Sequence, residues 1–238
     1  MEEGRLQRVR TKPSLKKVIY WDIETSDLNA DWGSVFCIGY AIDEGPIRLI
    51  SITDFDGWEN RPWDDRNVIA AFLEVLSECG VEVTHYGTNF DIKFLQARML
   101  ANKQGVFPLL GHVDTYYIAK SKLAIKSRSL GRVADQAGVT FKKTALSPAI
   151  WKKAARADKR ALDYIGKHCI ADIRVLRAVY KKLSPMLRRH PVVGNYGDCH
   201  VCGSDRLQSR GYAATTKGGR QRRVQCQKCG AWGSRSEA

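Results

Sequence analysis

Three apolar, strand-like segments follow one another near the start of the chain with no helical stretch between them. They are Val18-Ile19-Tyr20-Trp21, residues 35–42 (VFCIGYAI), and residues 47–53 (IRLISIT) in period-two alternation. Such a succession predicts an antiparallel start to a sheet. The pattern then changes. Val68, Ile69, Phe72, Leu73, Val75, Leu76 and Cys79 recur at helical spacing, and Gly80 stops the run. Residues 81–86 (VEVTHY) read as a fourth strand, and Phe90, Phe94, Leu95, Met99 and Leu100 as a helix entered through Thr88-Asn89. Strands first in series and then alternating with helices predict a mixed sheet flanked by helices, an α/β fold.

Further along, residues 111–119 (GHVDTYYIA) read as a fifth strand and residues 129–137 as a helix. Ser147-Pro148 starts another helix, with a capping residue followed by proline in the first turn. Leu162, Ile165, Cys169, Ile173, Leu176 and Tyr180 then lay one apolar stripe along a long helix that Pro185 ends. The expected organisation is a basic N-terminal tail (1–16), an α/β domain (17–185), a linker (186–197) containing Pro191 and two glycines, and a small C-terminal module (198–238).

The 238 residues carry 39 Lys+Arg against 25 Asp+Glu, a formal net charge of +14. The excess is concentrated in two places: twelve Lys/Arg against two Asp between Lys120 and Arg160, and ten against three acids from Met186 onward. Two separate basic regions point to a polyanionic partner, chiefly nucleic acid, although a solvated face is the plainer reading of any single lysine. The apolar stretches fall well short of the ~20 residues that span a bilayer. The segment after Met1 has no apolar core of its own, so the expected compartment is the cytoplasm, or the nucleoid or host cytoplasm if the source is viral.

Three sets of polar residues carry the chemistry. Strand one ends in Asp22-Ile23-Glu24, and strand alternation puts the two carboxylates on one face, where they repel each other unless a cation lies between them. Asp91 stands at a helix start, a position that favours an anion for local reasons alone. Tyr164, His168 and Asp172 are spaced by four on the long helix and share a face. Each set by itself has an ordinary structural explanation. In this order and on these elements, from about Lys17 to Leu183, they resemble the DEDD superfamily of 3′→5′ exonucleases, which have a ribonuclease H-like fold and include polymerase proofreading domains.

The resemblance implies a ribonuclease H-like five-stranded mixed sheet, with Asp22, Glu24, Asp91 and Asp172 holding two Mg²⁺ or Mn²⁺ ions. Oxygen ligands favour such hard cations, and a pair of them can serve phosphodiester hydrolysis. His168 would be the general base. It stands four residues before Asp172, where one branch of the family has Tyr; the other branch has His five residues before the Asp. Thr25 matches the place where the family contacts the terminal nucleotide, and Leu28 would pack on the last base. Lys120, Lys122, Arg128, Lys142 and Lys143 would flank the cleft and track phosphates. Asp114 is a fifth acid in the region, read as structural or as a support behind the metal ligands.

Seven cysteines divide by position. Cys37, Cys79 and Cys169 sit in apolar surroundings and read as small buried hydrophobes. Cys199-x-x-Cys202 and Cys226-x-x-Cys229, each followed by Gly, are two knuckles that predict a zinc ribbon with one structural Zn²⁺. A hairpin between the knuckles would present Arg220, Arg222 and Arg223 to nucleic acid, with protein docking as the competing use. The expected function is a metal-dependent 3′→5′ exonuclease at single-stranded or frayed DNA ends, with DNA favoured over RNA. The alternatives are a non-catalytic nucleic-acid-binding protein, and an RNA exonuclease or ribonuclease H-type endonuclease.

Overall fold

The computed structural model describes residues 17–105, 107–108, 110–140, 145–187, 190–191, 198–214 and 219–236. The basic tail, Lys142, Lys143 and most of the expected linker lie outside them. Strands β1 (Val18–Thr25), β2 (Val35–Ile42) and β3 (Arg48–Ser51) come first. Helix α1 (Arg66–Ser77), strand β4 (Val81–Thr84), helix α2 (Asp91–Ala101) and strand β5 (Gly111–Asp114) alternate after them. They form one sheet in the order β3-β2-β1-β4-β5. The β1–β2 and β2–β3 pairs are antiparallel, and the β1–β4 and β4–β5 pairs are parallel. The mixed five-stranded sheet read from the sequence is therefore present, with β1 at its centre.

Side-chain alternation along β1 separates two tasks. Ile19, Trp21 and Ile23 enter a core under α1 and α2, where the Trp21 and Phe72 rings lie 5.2 Å apart. Tyr20 faces the other layer and packs edge-on against Tyr180 of α6 (Lys159–Leu183). Asp22 and Glu24 share the Tyr20 side, so strand periodicity delivers them to the face that α6 covers. Helices α3 (Thr115–Lys122), α4 (Leu130–Gln136) and α5 (Pro148–Ala154) complete the layer around α6. Among the described residues no helix is long and apolar enough to cross a membrane.

Two expectations need correction. The fifth strand does not run to residue 119. It stops at Asp114, whose side chain accepts a hydrogen bond from the Tyr116 N–H and so caps α3. A short capping residue outcompetes the β-branched and aromatic content that follows it. The supposed linker is also partly docked: His190 is buried with its Nε2 2.6 Å from the Tyr180 hydroxyl, and Pro191 lies against Gly111.

Arg98 of α2 forks onto Asp65, with Nε 2.8 Å from Oδ2 and Nη2 3.0 Å from Oδ1. Asp65 is fully buried and also accepts from the Val35 N–H and the Asn102 side chain. This network ties the start of β2 to α2, the helix that carries Asp91.

Candidate active site

Helix α6 reaches the end of β1 across two glycine contacts, one on the sheet and one on the helix. Gly39 of β2 is the register partner of Asp22, and a Cβ there would lie 2.7 Å from Cys169 Sγ and 3.0 Å from Ile173 Cγ1. Glycine is needed for this close approach. Gly166 of α6 is crowded in the same way, its missing Cβ standing 2.7 Å from Leu49. The helix thereby brings His168 Nε2 to 4.0 Å from Glu24 Oε1, and His168 lies 3.4 Å from Asp172 Oδ2 one turn away. Tyr164, a turn earlier, is turned out of the site and donates to the Ala145 carbonyl.

Asp91 arrives from the opposite layer. The pairing of β4 with β1 ends at Tyr20, and further along β1 the Ile23 N–H donates to Asp91 Oδ1 at 3.2 Å. The buried aspartate thus takes a strand hydrogen bond where no strand continues.

Burial pushes the Asp22 carboxyl well above the usual carboxylate range, and the charges of Asp91, Glu24 and Asp172 push it further. Burial, with Asp172 and Asp91 beside it, raises Glu24 to about 8. Burial raises Asp91 to about 7 against the pull of the Ile23 N–H. Asp172 is also raised by burial, with His168 pulling it the other way. These mutual effects place all four acids within one electrostatic neighbourhood. Among the described residues, His168 is the side chain that lies beside both Glu24 and Asp172. Burial and mutual repulsion oppose ionisation of these carboxyls, so a cation among them would be favoured, and carboxylate oxygens suit a hard divalent ion. The donors fit Mg²⁺ or Mn²⁺.

A family model for the RNase H superfamily matches residues 19–184. The chain belongs to the RNase H superfamily. No curated protein matches it. Among solved structures it is similar to the family B DNA polymerase from the hyperthermophilic archaeon Pyrobaculum calidifontis, at 22% identity and a TM-score of 0.60. That match covers 77% of this chain and 26% of the polymerase, so the chain spans about a quarter of that protein's length, and the likeness is one of fold.

Cys169 was read as a small hydrophobe and is fully buried, yet it also belongs to the site of this RNase H superfamily member. Its Sγ lies 3.6 Å from the Asp22 carbonyl, and a ligand atom from each of Asp22, Glu24 and Cys169 fits within 4.8 Å of the others. Apolar spacing places it on the stripe, and nothing in the sequence sets it apart from its neighbours there.

The remaining sequence candidates disperse. Thr25 is buried and its hydroxyl is committed to the Asp27 carbonyl at 2.7 Å, whereas Leu28 stands 85% exposed in the same loop. Lys120 lies over the Tyr117 ring, Lys122 is exposed, and the Arg128 carbonyl is 2.9 Å from His85 Nε2. Asp114 is structural, as read: it accepts from the Tyr86 and Thr88 N–H groups and from the Thr88 hydroxyl.

The cysteine knuckles come together around a three-stranded sheet of β6 (Leu207–Ala214), β7 (Arg220–Cys226) and β8 (Trp232–Ser236). The third strand has no sequence signal, since residues 232–236 offer no run of β-branched residues. Cys199 and Cys229 sulfurs lie 3.6 Å apart, as do those of Cys202 and Cys226. That spacing is far from a disulfide and near the roughly 3.8 Å edge of a tetrahedron with ~2.3 Å metal–sulfur bonds. Val201 N–H donates to Cys199 Sγ and Lys228 N–H to Cys226 Sγ. Burial opposes the Cys226 thiolate, but N–H donors from Cys229 and Lys228 outweigh it and bring the thiol down to about 7. Of the arginines on β7, Arg220, Arg222 and Arg223 are exposed, and Arg220 stacks over Tyr212.

Proposed function

We propose that this chain is a metal-dependent 3′→5′ exonuclease that shortens single-stranded or frayed DNA ends. The observation that carries this reading is the convergence of four carboxylates and one imidazole from three separate elements: Asp22 and Glu24 of β1, Asp91 of α2, and His168 and Asp172 of α6. The order of these residues is that of the DEDD exonucleases, and the similar structure belongs to a DNA polymerase, which favours DNA as substrate.

Asp22, Glu24, Asp91 and Asp172 would hold two Mg²⁺ or Mn²⁺ ions, which when bound neutralise a phosphate and lower the pKa of a coordinated water. The protein's own residues do the rest. His168 Nε2, beside Glu24 and Asp172 and partly open to solvent, takes the proton from the attacking water. Its position four residues before Asp172 is workable because α6 lies close on Gly39 of β2, with its own Gly166 against Leu49, and one helical turn separates base from acid. The Ile23 N–H holds Asp91 in place, and the Arg98–Asp65 network holds the helix behind it. The four cysteines would hold one Zn²⁺ that folds the ribbon, and a site closed by four thiolates supplies no catalysis. The exposed arginines of β7 would add affinity for the strand.

A 5′-labelled oligodeoxynucleotide incubated with Mg²⁺ or Mn²⁺ should shorten stepwise from its 3′ end, with no change in EDTA. A matched 3′-labelled strand should release its label as mononucleotide. Internal cuts would indicate an endonuclease, faster loss of a matched RNA would reverse the sugar preference, and tight binding without cleavage would leave a binding protein.

A further inference from the structure

Three tyrosines stand together where β4 and β5 end, and the proposed reaction uses none of them. The Tyr86 and Tyr116 rings meet at 4.7 Å and 67°, and the Tyr116 and Tyr117 rings at 5.4 Å and 84°. Tyr116 is the partly buried middle ring, while Tyr86 and Tyr117 remain 43% and 38% exposed.

Tyr86 has φ +70°, in the left-handed region that a bulky side chain rarely adopts. A conformation of that kind persists only where its surroundings hold it. Asp114 does so: Oδ1 accepts from the N–H groups of both Tyr86 and Tyr116, at 2.8 and 2.9 Å. The fifth acid of the region therefore fixes both ring-bearing loops with one carboxylate. Tyr117 is fixed in turn by the Asn89 side chain, which donates to its hydroxyl at 2.6 Å, and Lys120 Nζ lies 5.7 Å from its ring centre.

The platform lies at the site's edge. Strand β4 runs parallel to β1, so its end faces the same way as Asp22 and Glu24, and the loop bearing Tyr86 leads within five residues to Asp91. Rings present only for packing would be buried; here the most strained residue of the group holds its ring toward water. We propose that Tyr86 and Tyr117, backed by Tyr116, form a stacking platform for the unpaired bases of a nucleic-acid strand whose end lies at the acid cluster, with Lys120 beside it for a phosphate. Every base offers a π-face, so such a platform grips a strand without reading its sequence. The inference rests on the proposed nucleic-acid substrate but not on cleavage of it.

Binding in EDTA tests it separately from turnover. Fluorescence anisotropy would compare a labelled oligothymidylate with an abasic strand of equal length, which keeps the phosphates and lacks the bases. The wild-type chain should prefer the thymidylate by about tenfold, since stacking on an aromatic side chain has an effect of that order per base. Tyr86→Asn, a residue that tolerates positive φ, should erase most of this preference at unchanged melting temperature, and Tyr86→Phe should keep it. Tyr117→Leu should reduce it in part. Equal binding of both strands by the wild-type chain, no binding of either, or an undiminished preference in Tyr86→Asn would overturn the platform. A base preference without cleavage under any metal would retire the exonuclease reading and leave the platform standing.

Discussion

The α/β body and the cysteine ribbon place their candidate metal donors in opposite relations to their folds. The body buries two large apolar clusters between its sheet and helices, and its carboxylates are a burden that those clusters carry. The ribbon's buried cluster is Cys199, Val201, Cys226 and Ala231, half of it the proposed ligands themselves. A core that small cannot offset the conformational entropy of ordering the chain around it. In one region the fold would support a metal site; in the other a bound metal would support the fold.

Chelation should separate the two most sharply. Stripping zinc, or Cys226→Ser, should unfold the ribbon, where bound Zn²⁺ contributes on the order of 10 kcal/mol of apparent folding free energy. The main melting transition of the body should stay in place. Amide exchange that remained slow in residues 207–236 of the stripped protein would show that the ribbon holds itself.

The converse substitution in the body should leave the fold intact and remove the chemistry. Asp22→Asn should abolish cleavage while raising the melting temperature of the metal-free protein, because a neutral amide needs neither a bound proton nor a charge at that buried position. His168→Ala should slow single-turnover cleavage by roughly 10²–10⁴-fold. An unchanged rate would assign the proton transfer to solvent.

Asp65→Ala tests how the body keeps Asp91 in place. It strands the Arg98 guanidinium, which is largely buried, and should cost about 3–5 kcal/mol in urea denaturation. A loss below about 1 kcal/mol would mean that apolar packing alone fixes α2.

The smallest expected effect is on pH. Glu24 near 8, Asp91 near 7 and the raised Asp22 and Asp172 bind protons in the folded state that the unfolded chain has already released. Their contribution is fully present below the ordinary carboxylate range near 4 and is lost as pH rises through about 7–8. The metal-free melting temperature should therefore decline across that window, and less so in Asp22→Asn. Added Mn²⁺, which displaces the protons, should raise it more at pH 8 than at pH 6. Equal shifts at both pH values would place the ion elsewhere.

Much of this was legible in the sequence because periodicity is a local property. Alternation in residues 18–24 put Asp22 and Glu24 on one face, and spacing by four put His168 and Asp172 on another, before any contact between the two was known. What could not be read was the approach of one element to another. Gly39 and Gly166 look like interruptions in apolar runs, and only their pairing across the sheet and helix shows that they set the distance between base and acids. Cys169 was indistinguishable from its neighbours on the stripe for the same reason. The extra residues given to β5 were a local error with a local cause, the cap formed by Asp114. The strain at Tyr86 had no sequence signal, since that acid lies 28 positions away.

Anomalous scattering from a crystal soaked in Mn²⁺ addresses the four-carboxylate site without reference to any substrate. Two manganese peaks bounded by Asp22, Glu24, Asp91 and Asp172, and lost in Asp22→Asn, are the predicted result. Manganese bound only at other positions, with no peak beside these four side chains, would contradict it.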